Sequence, residues 1–564
     1  MFALTVAVGV ACGLAAVAFH FSISFAESLL CERALRASGR SWMVWGVLSP
    51  ALGGVAAGLL LKYVVPGARG SGVPQVKAAY AGRTAPVPLK DAIGKLFIAS
   101  MQIGSGASLG REGPTVQICT GIAGALGRLA RLGPTNLRRL TPVGAAAGIA
   151  AAFNAPIAAV TFTIEEVVGD LDQTVLSGVI VAAAIAAVIE RSILGTHPVF
   201  SVPEVYGLAD ARSLLVYAAL GVTAGLASVA FTELLLWTRL RFRAQTGLPV
   251  WLQPGVGGLF TGAITVAVLY FIGIGGINGA GYHVIEASLS SHLPLAALLV
   301  LGCAKLVATV ISYSSGGAGG IFAPSLFIGA MLGGVFGSLD RYLFQHGEGA
   351  LGAFALVGMG ATFCGTIRAP ITSVLIIVEL TSGYGLILPL MLANMSAYAV
   401  ARSLRPTPIY EALLEQDGIR LQPRFHTQPL EHVLLGSLAI ASAERPALSG
   451  SDLAAELLRG PLPPDAHVYP IVDAMGAHIG LVCREDLALL QGDARLARLV
   501  TASDIMRPFV SVRPTDTLRQ AWEIMRAQGL PELPVVEGGV LTGYVDETTI
   551  ARSFLAPSDA PRAH

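Results

Sequence analysis

From its start to about Arg405 this chain is a succession of apolar runs, and glycine or proline interrupts nearly all of them. That combination constrains the fold more than any other feature. The runs lie near 1–30, 46–65, 92–103, 114–131, 139–152, 156–168, 174–194, 212–238, 251–274, 294–312, 319–343, 351–364, 370–381 and 386–402. Many are shorter than the roughly 20 residues that an upright helix needs to cross a bilayer. The 66 glycines and 32 prolines would be destructive in ordinary spanning helices. They suit helices that are broken or only partly crossing, because irregular backbone survives at membrane depth where protein buries it or where it lines a wet cavity. The expectation is an all-α polytopic membrane domain with broken, re-entrant helices.

Charged residues make up 13% of the chain, against about 25% in a soluble domain. Beyond Arg405 the composition becomes ordinary and polar, which predicts a membrane domain over about 1–415 and a soluble tail over 416–564. The formal net charge of +1 gives no basic field for a nucleic-acid partner. The six cysteines form no C-x-x-C pair and read as small buried hydrophobes rather than disulfide or zinc ligands. No metal-ligand spacing is found among the histidines, so no metal or resident cofactor is expected. The N-terminal run has no basic leader region, so it reads as a first membrane helix rather than a signal peptide.

The apolar region contains a repeat. "VGAAAGIAAAFNAPI" (Val143–Ile157) matches "VGMGATFCGTIRAPI" (Val357–Ile371), and "GREGPTVQICTGIAGALG" (Gly110–Gly127) matches "GIFAPSLFIGAMLGGVFG" (Gly320–Gly337). The halves run over about 1–195 and 212–403. Glu165 and Glu379 are twins, each nine residues after the proline of its Ala-Pro-Ile. An acid required twice by one scaffold position predicts a structural role, bonded to backbone at a helix end. Glu112 instead matches Phe322, and Glu166 matches Leu380. Those breaks of symmetry mark the positions to examine for function.

Three glycine-proline elements stand out: "GSGVP" with Gly70, Gly72 and Pro74, "GREGP" with Gly110, Arg111, Gly113 and Pro114, and "GGIFAP" with Gly320, Ala323 and Pro324. Glycine lets a ligand approach the backbone, and proline favours the first helical turn. Helix starts carry unpaired N–H groups and the positive end of the dipole, so they attract anions without a cationic side chain. Ser71 and Tyr410, in "RPTPIYEALL", can add hydroxyl donors. Taken singly, such an element is a tight turn capping a helix; three in one low-charge domain favour an anion site. "GASLG" fits the nucleophile elbow of serine hydrolases around Ser108, but a membrane helix precedes it where a strand is needed.

These motifs, in this order, resemble the CLC family of chloride channels and proton/chloride exchangers, and the match extends through "FNAPIAAVTFTIEEV", "IRAPIT" and "PIY". The tail resembles a pair of CBS domains, over about 416–497 and 501–556. The resemblance implies a homodimer in membrane lipid, with the two repeats of each subunit inverted. It implies chloride held by the side chains of Ser71 and Tyr410 and the backbone N–H groups of Ile321 and Phe322. Glu112 would be the gating and external proton glutamate, and Glu166 the internal proton glutamate. The implied activity is exchange of chloride against protons; a gated chloride channel without proton coupling is the alternative. The resemblance places the tail in the cytoplasm and suits a prokaryotic inner membrane. Glu112 as a plain helix cap, and Glu166 as an acid facing water, are the simpler readings of those residues taken alone.

In CBS pairs a hydroxyl and an acid after the last strand commonly hold nucleotide. Here Cys483 stands at the hydroxyl position with Asp486 kept, and the second copy has Asp546 and Thr549. Adenine-nucleotide regulation through Asp486 and a purely structural, dimerising tail both stay open.

Overall fold

A computed structural model describes the chain except residues 1, 170–172, 196–199, 201–205, 208–209, 291–292, 347–348, 382, 422–432, 438–440, 443–444, 461, 464–465, 494 and 551–564. It divides into two units, Met1–Gln422 and Pro423–His564.

The first unit is helical. Among the described residues, eight helical stretches are long and apolar enough to cross a membrane. Between them lie short helices: Val73–Tyr80, Pro156–Phe162, Tyr282–Leu289, Pro370–Thr381 and Ile409–Gln416. An eight-residue helix is only about 12 Å long, far less than the roughly 30 Å hydrocarbon core, so none of these crosses it alone. Glycine lets the long helices touch at backbone distance. A Cβ on Gly329 would sit 2.3 Å from the Gly358 carbonyl oxygen, and one on Gly333 would sit 2.1 Å from that of Phe354. Small residues at such crossings give the van der Waals contact that holds helices together where lipid is as apolar as leucine.

The two repeats interlock through reciprocal bonds. Gly110 and Gly320, equivalent in sequence, form an antiparallel bridge, with N–H to carbonyl distances of 2.8 and 2.7 Å. Equivalent residues that pair antiparallel lie about a local two-fold axis, the relation that inverted repeats require. The same exchange recurs further out. Gly70 N–H donates to Gly317 and Gly279 N–H donates to Ala107, both at 3.0 Å.

The twin acids obey the rule set by the repeat. Glu165 accepts from the amides of Ile371 and Thr372 at 3.0 and 2.8 Å. Glu379 accepts from the amides of Ile157 and Ala158 at 3.0 and 2.6 Å. Each half therefore caps a helix start in the other half, as an acid at a positive helix end should. Just before those starts, Asn154 and Arg368 both have positive φ, 53° and 70°. Asn tolerates that region, while Arg368 is held there by its guanidinium on the carbonyls of Gly365, Ala401 and Arg405.

The second unit is α/β. Val468–Val472 pairs antiparallel with His478–Cys483, and Glu532–Glu537 pairs antiparallel with Val540–Asp546. A helix follows at Arg484–Leu489, and an amphipathic helix at Leu518–Gln528 starts from a Thr517 cap. The linear split at 497/501 does not separate the sheets. Ala441–Ser442 joins the strand Val540–Asp546, and Arg507–Pro508 joins His478–Cys483. Each two-residue segment satisfies an open edge of the other copy.

All six cysteines are free thiols; five are buried, but Cys303 is exposed on its helix rather than buried as the sequence suggested.

Candidate functional site

The site forms where helix starts meet. The helices Val73–Tyr80, Glu112–Leu129, Phe322–Phe344 and Ile409–Gln416 begin at the four elements singled out in the sequence. Glycine makes their convergence possible. A Cβ on Gly113 would lie 2.5 Å from the Ser71 carbonyl oxygen and 2.6 Å from its Oγ, and one on Gly72 would lie 2.4 Å from the Gly113 carbonyl oxygen. Gly72 also has φ of 105°, a conformation glycine adopts at little cost. Gln75 fixes the turn, accepting from Gly72 N–H at 2.9 Å and donating to Arg69 at 3.0 Å.

Ser71 and Tyr410 are fully buried. The Tyr410 hydroxyl lies beside that of Ser71, yet neither has a hydrogen-bond partner within bonding geometry among the described residues. Buried polar atoms are nearly always paired. Two orphaned hydroxyls side by side, at helix starts, form a donor set suited to a monovalent anion. Ile321 is the cap and Phe322 the first residue of its helix. Phe322 is walled by the rings of Phe153, Phe162 and Phe363 at 4.6, 5.9 and 4.2 Å.

Glu112 is buried at the head of its own helix. Its carboxylate reaches across to the other repeat: Oε2 accepts from Ala323 N–H at 3.4 Å, and Oε1 accepts from the Tyr282 hydroxyl at 2.5 Å. The carboxylate thus occupies a helix N-terminus itself. Arg111 donates to the Ala152 carbonyl at 3.2 Å and meets the His20 ring, with its guanidinium 5.7 Å from the centre of the Tyr282 ring.

Glu166 is also buried, and it is not isolated. Lys77 Nζ donates to Glu166 at 2.6 Å and to Glu411 at 2.8 Å. Sequence reading missed Lys77, Glu411 and Tyr282, whose partners are 89, 334 and 170 residues away. It also missed a pair of buried lysines. Lys95 donates to the carbonyls of Ala68 and Gly70, and Lys305 to those of Ile277 and Gly279. Each bonds the loop that leads into a short helix. Their signal was legible: both lie seventeen residues before equivalent positions, Glu112 and Phe322, as lone cations in apolar runs.

Ser108 is buried with its Oγ 3.0 Å from Thr309 Oγ1, so a hydroxyl stands where a hydrolase needs its base. In the tail, Asp486 is engaged by Arg507 in two bonds of 3.0 and 2.9 Å, and Asp546 caps the helix start at Thr549 with a 2.7 Å bond.

A helical membrane bundle of two interlocked inverted repeats belongs to the class of polytopic membrane proteins that place a site between their halves. Residues 53–402 match the voltage gated chloride channel family, and the chain belongs to that family. Residues 502–556 match the CBS domain. The chain is 34% identical, over 75% of its length and 99% of the relative's, to a ClcB-like chloride channel protein of Ralstonia nicotianae. It is 33% identical, over 72% of its length and 86% of the relative's, to the H(+)/Cl(-) exchange transporter ClcA of Salmonella typhimurium. A solved slow cyanobacterial Cl-/H+ antiporter superposes with a TM-score of 0.68 at 27% identity, covering 74% of this chain and 97% of that one. The chain is an integral membrane protein.

Proposed function

We propose that this protein is a secondary active antiporter that moves chloride across the membrane in exchange for protons. The observation that carries the reading is the Glu112 carboxylate, bonded to the Phe322–Phe344 helix start beside the orphaned hydroxyls of Ser71 and Tyr410. A carboxylate is itself an anion, so it competes with chloride for the same partial charges. Protonation removes its charge and frees the position, so the two ions are linked through one side chain. Backbone dipoles and hydroxyls hold chloride without the full charge that would stop it leaving.

Glu166 favours exchange over passive conduction. It is a second buried acid, present in only one repeat, and it gives protons a separate route to the site. Similarity to a named exchange transporter and to a solved antiporter supports the same choice. The tail is read as cytoplasmic, and the assembly as a homodimer. The exposed isoleucines Ile157 and Ile371, at the two reciprocally capped helix starts, suit a contact with either a second copy or lipid. The Asp486–Arg507 pair supports a structural tail over nucleotide binding.

The test is paired chloride and proton flux in liposomes. Wild type should take up protons against their gradient when chloride is driven outward, and Glu166→Gln should carry chloride without protons. A wild type that conducts chloride with no proton movement would establish the gated channel instead.

A further inference from the structure

The bundle holds one cation between two carboxylates. The Lys77 and Glu166 side chains are 2% and 4% exposed, and that of Glu411 is 35% exposed. One ammonium therefore joins an acid sealed in the protein to an acid that reaches the protein surface. Glu411 follows Tyr410 directly on the helix Ile409–Gln416, so this pair of acids flanks the candidate chloride site.

The neighbouring charged groups are already committed. Glu165 holds the amides of Ile371 and Thr372. Arg138 donates to the Tyr80 carbonyl and lies over its ring. Arg239 and Arg243 pair with Asp417. The Tyr410 hydroxyl faces Glu166. Within the three-member cluster, two carboxylates share one ammonium, so the cluster lacks one positive charge when both acids are ionised. Two neighbouring carboxylates disfavour each other's ionised form, and one added proton relieves that repulsion.

We propose that Glu411 is the residue through which protons reach Glu166 from the aqueous phase, and that Lys77 meters the transfer by pairing with whichever carboxylate is ionised. This rests on the exchange reading above. A proton from water adds to Glu411 while Lys77 pairs with Glu166. The proton then passes to Glu166, and Lys77 turns to the newly ionised Glu411. The ammonium keeps its own protons throughout, and the cluster carries one extra proton at a time. Lys77 is a positioning residue; Glu411 and Glu166 are the groups that hold the transported proton.

The test measures chloride and proton flux together on full-length protein in liposomes, at symmetric pH stepped across the acid to neutral range. Glu411→Gln leaves Lys77 to Glu166 alone, which holds that acid ionised into more acid solution. Its turnover at neutral pH should fall roughly tenfold or more, since an opposite charge at this range is worth about one to three pH units. The rate should recover in acid, with an unchanged ratio of protons to chloride. Lys77→Met removes the cation from both acids and should shift the rate profile the other way, toward alkaline pH. Glu411→Asp should restore the profile. A Glu411→Gln profile that superimposes on wild type refutes the proposal. So does a Glu411→Gln ratio that collapses as for Glu166→Gln, or a shift of both variants in one direction. A wild type that moves no protons refutes the exchange reading itself, an outcome separate from these.

Discussion

Replacing Glu379 by Gln tests the interlock between the two halves. The carboxylate accepts one amide on each oxygen, at 3.0 and 2.6 Å. Glutamine keeps one acceptor and turns an NH2 toward the other amide. The first bond falls from a charge-assisted bond to a neutral one, a loss of about 1 kcal/mol, and the second amide loses its partner at about 1–3 kcal/mol. The sum is about 2–4 kcal/mol, with the lower end favoured because Ile157 is exposed. Glu165→Gln should cost nearly the same despite its third donor, the Thr372 hydroxyl at 2.6 Å, because a hydroxyl can rotate to accept from the new NH2. The assay is heating of detergent-solubilised protein at one scan rate, followed by size-exclusion chromatography of what stays monodisperse. Both variants should lose several degrees of apparent midpoint, roughly in proportion to the free energy, while the proton-to-chloride ratio holds. An unchanged midpoint in either variant, or a ratio that falls in Glu379→Gln, would refute the structural assignment of the twin acids.

Other outcomes follow from single contacts. Tyr282→Phe removes one of the two donors on Glu112; a bond to a charged group is worth about 1.5–3 kcal/mol, so chloride turnover should rise about tenfold if departure of the carboxylate limits it, as initial flux rates will show. Gly113→Ala drives a methyl to within 2.6 Å of Ser71 Oγ, so chloride binding by calorimetry should weaken by about tenfold or more, at a stability cost of about 1–3 kcal/mol. Burial, together with Asp486 and Glu485, pushes the Cys483 thiol up to about 11 against the pull of Arg507; its maleimide labelling at neutral pH should be about a hundredfold slower than in urea-unfolded protein.

Much of this architecture could be read from residue patterns because the repeat writes it twice. The twinning of Glu165 and Glu379 alone points to helix ends, and the structure gives each two backbone amides of the opposite half. The glycine-proline elements marked the starts at Val73, Glu112 and Phe322 because proline and glycine act locally on φ. Lys77 escaped for the opposite reason. In "VPQVKAAY" it looks like an ordinary polar helix residue, and its meaning lies in carboxylates 89 and 334 residues away. No periodicity carries such a pairing. The edge strands of the tail escaped likewise: a two-residue strand has no pattern of its own, and the sheet that needs it chooses it.

The reciprocal capping of the halves has a consequence for biosynthesis. Glu165 is made 206 residues before the amide of Ile371 that it holds. At about 5–20 residues per second, the ribosome supplies that partner roughly 10–40 s later. The early half must therefore wait in the bilayer with acceptors and helix tips unfilled, exposed to membrane chaperones and proteases. Severing the chain between the halves and producing both pieces together should still yield a working transporter, whereas either piece made alone should be degraded.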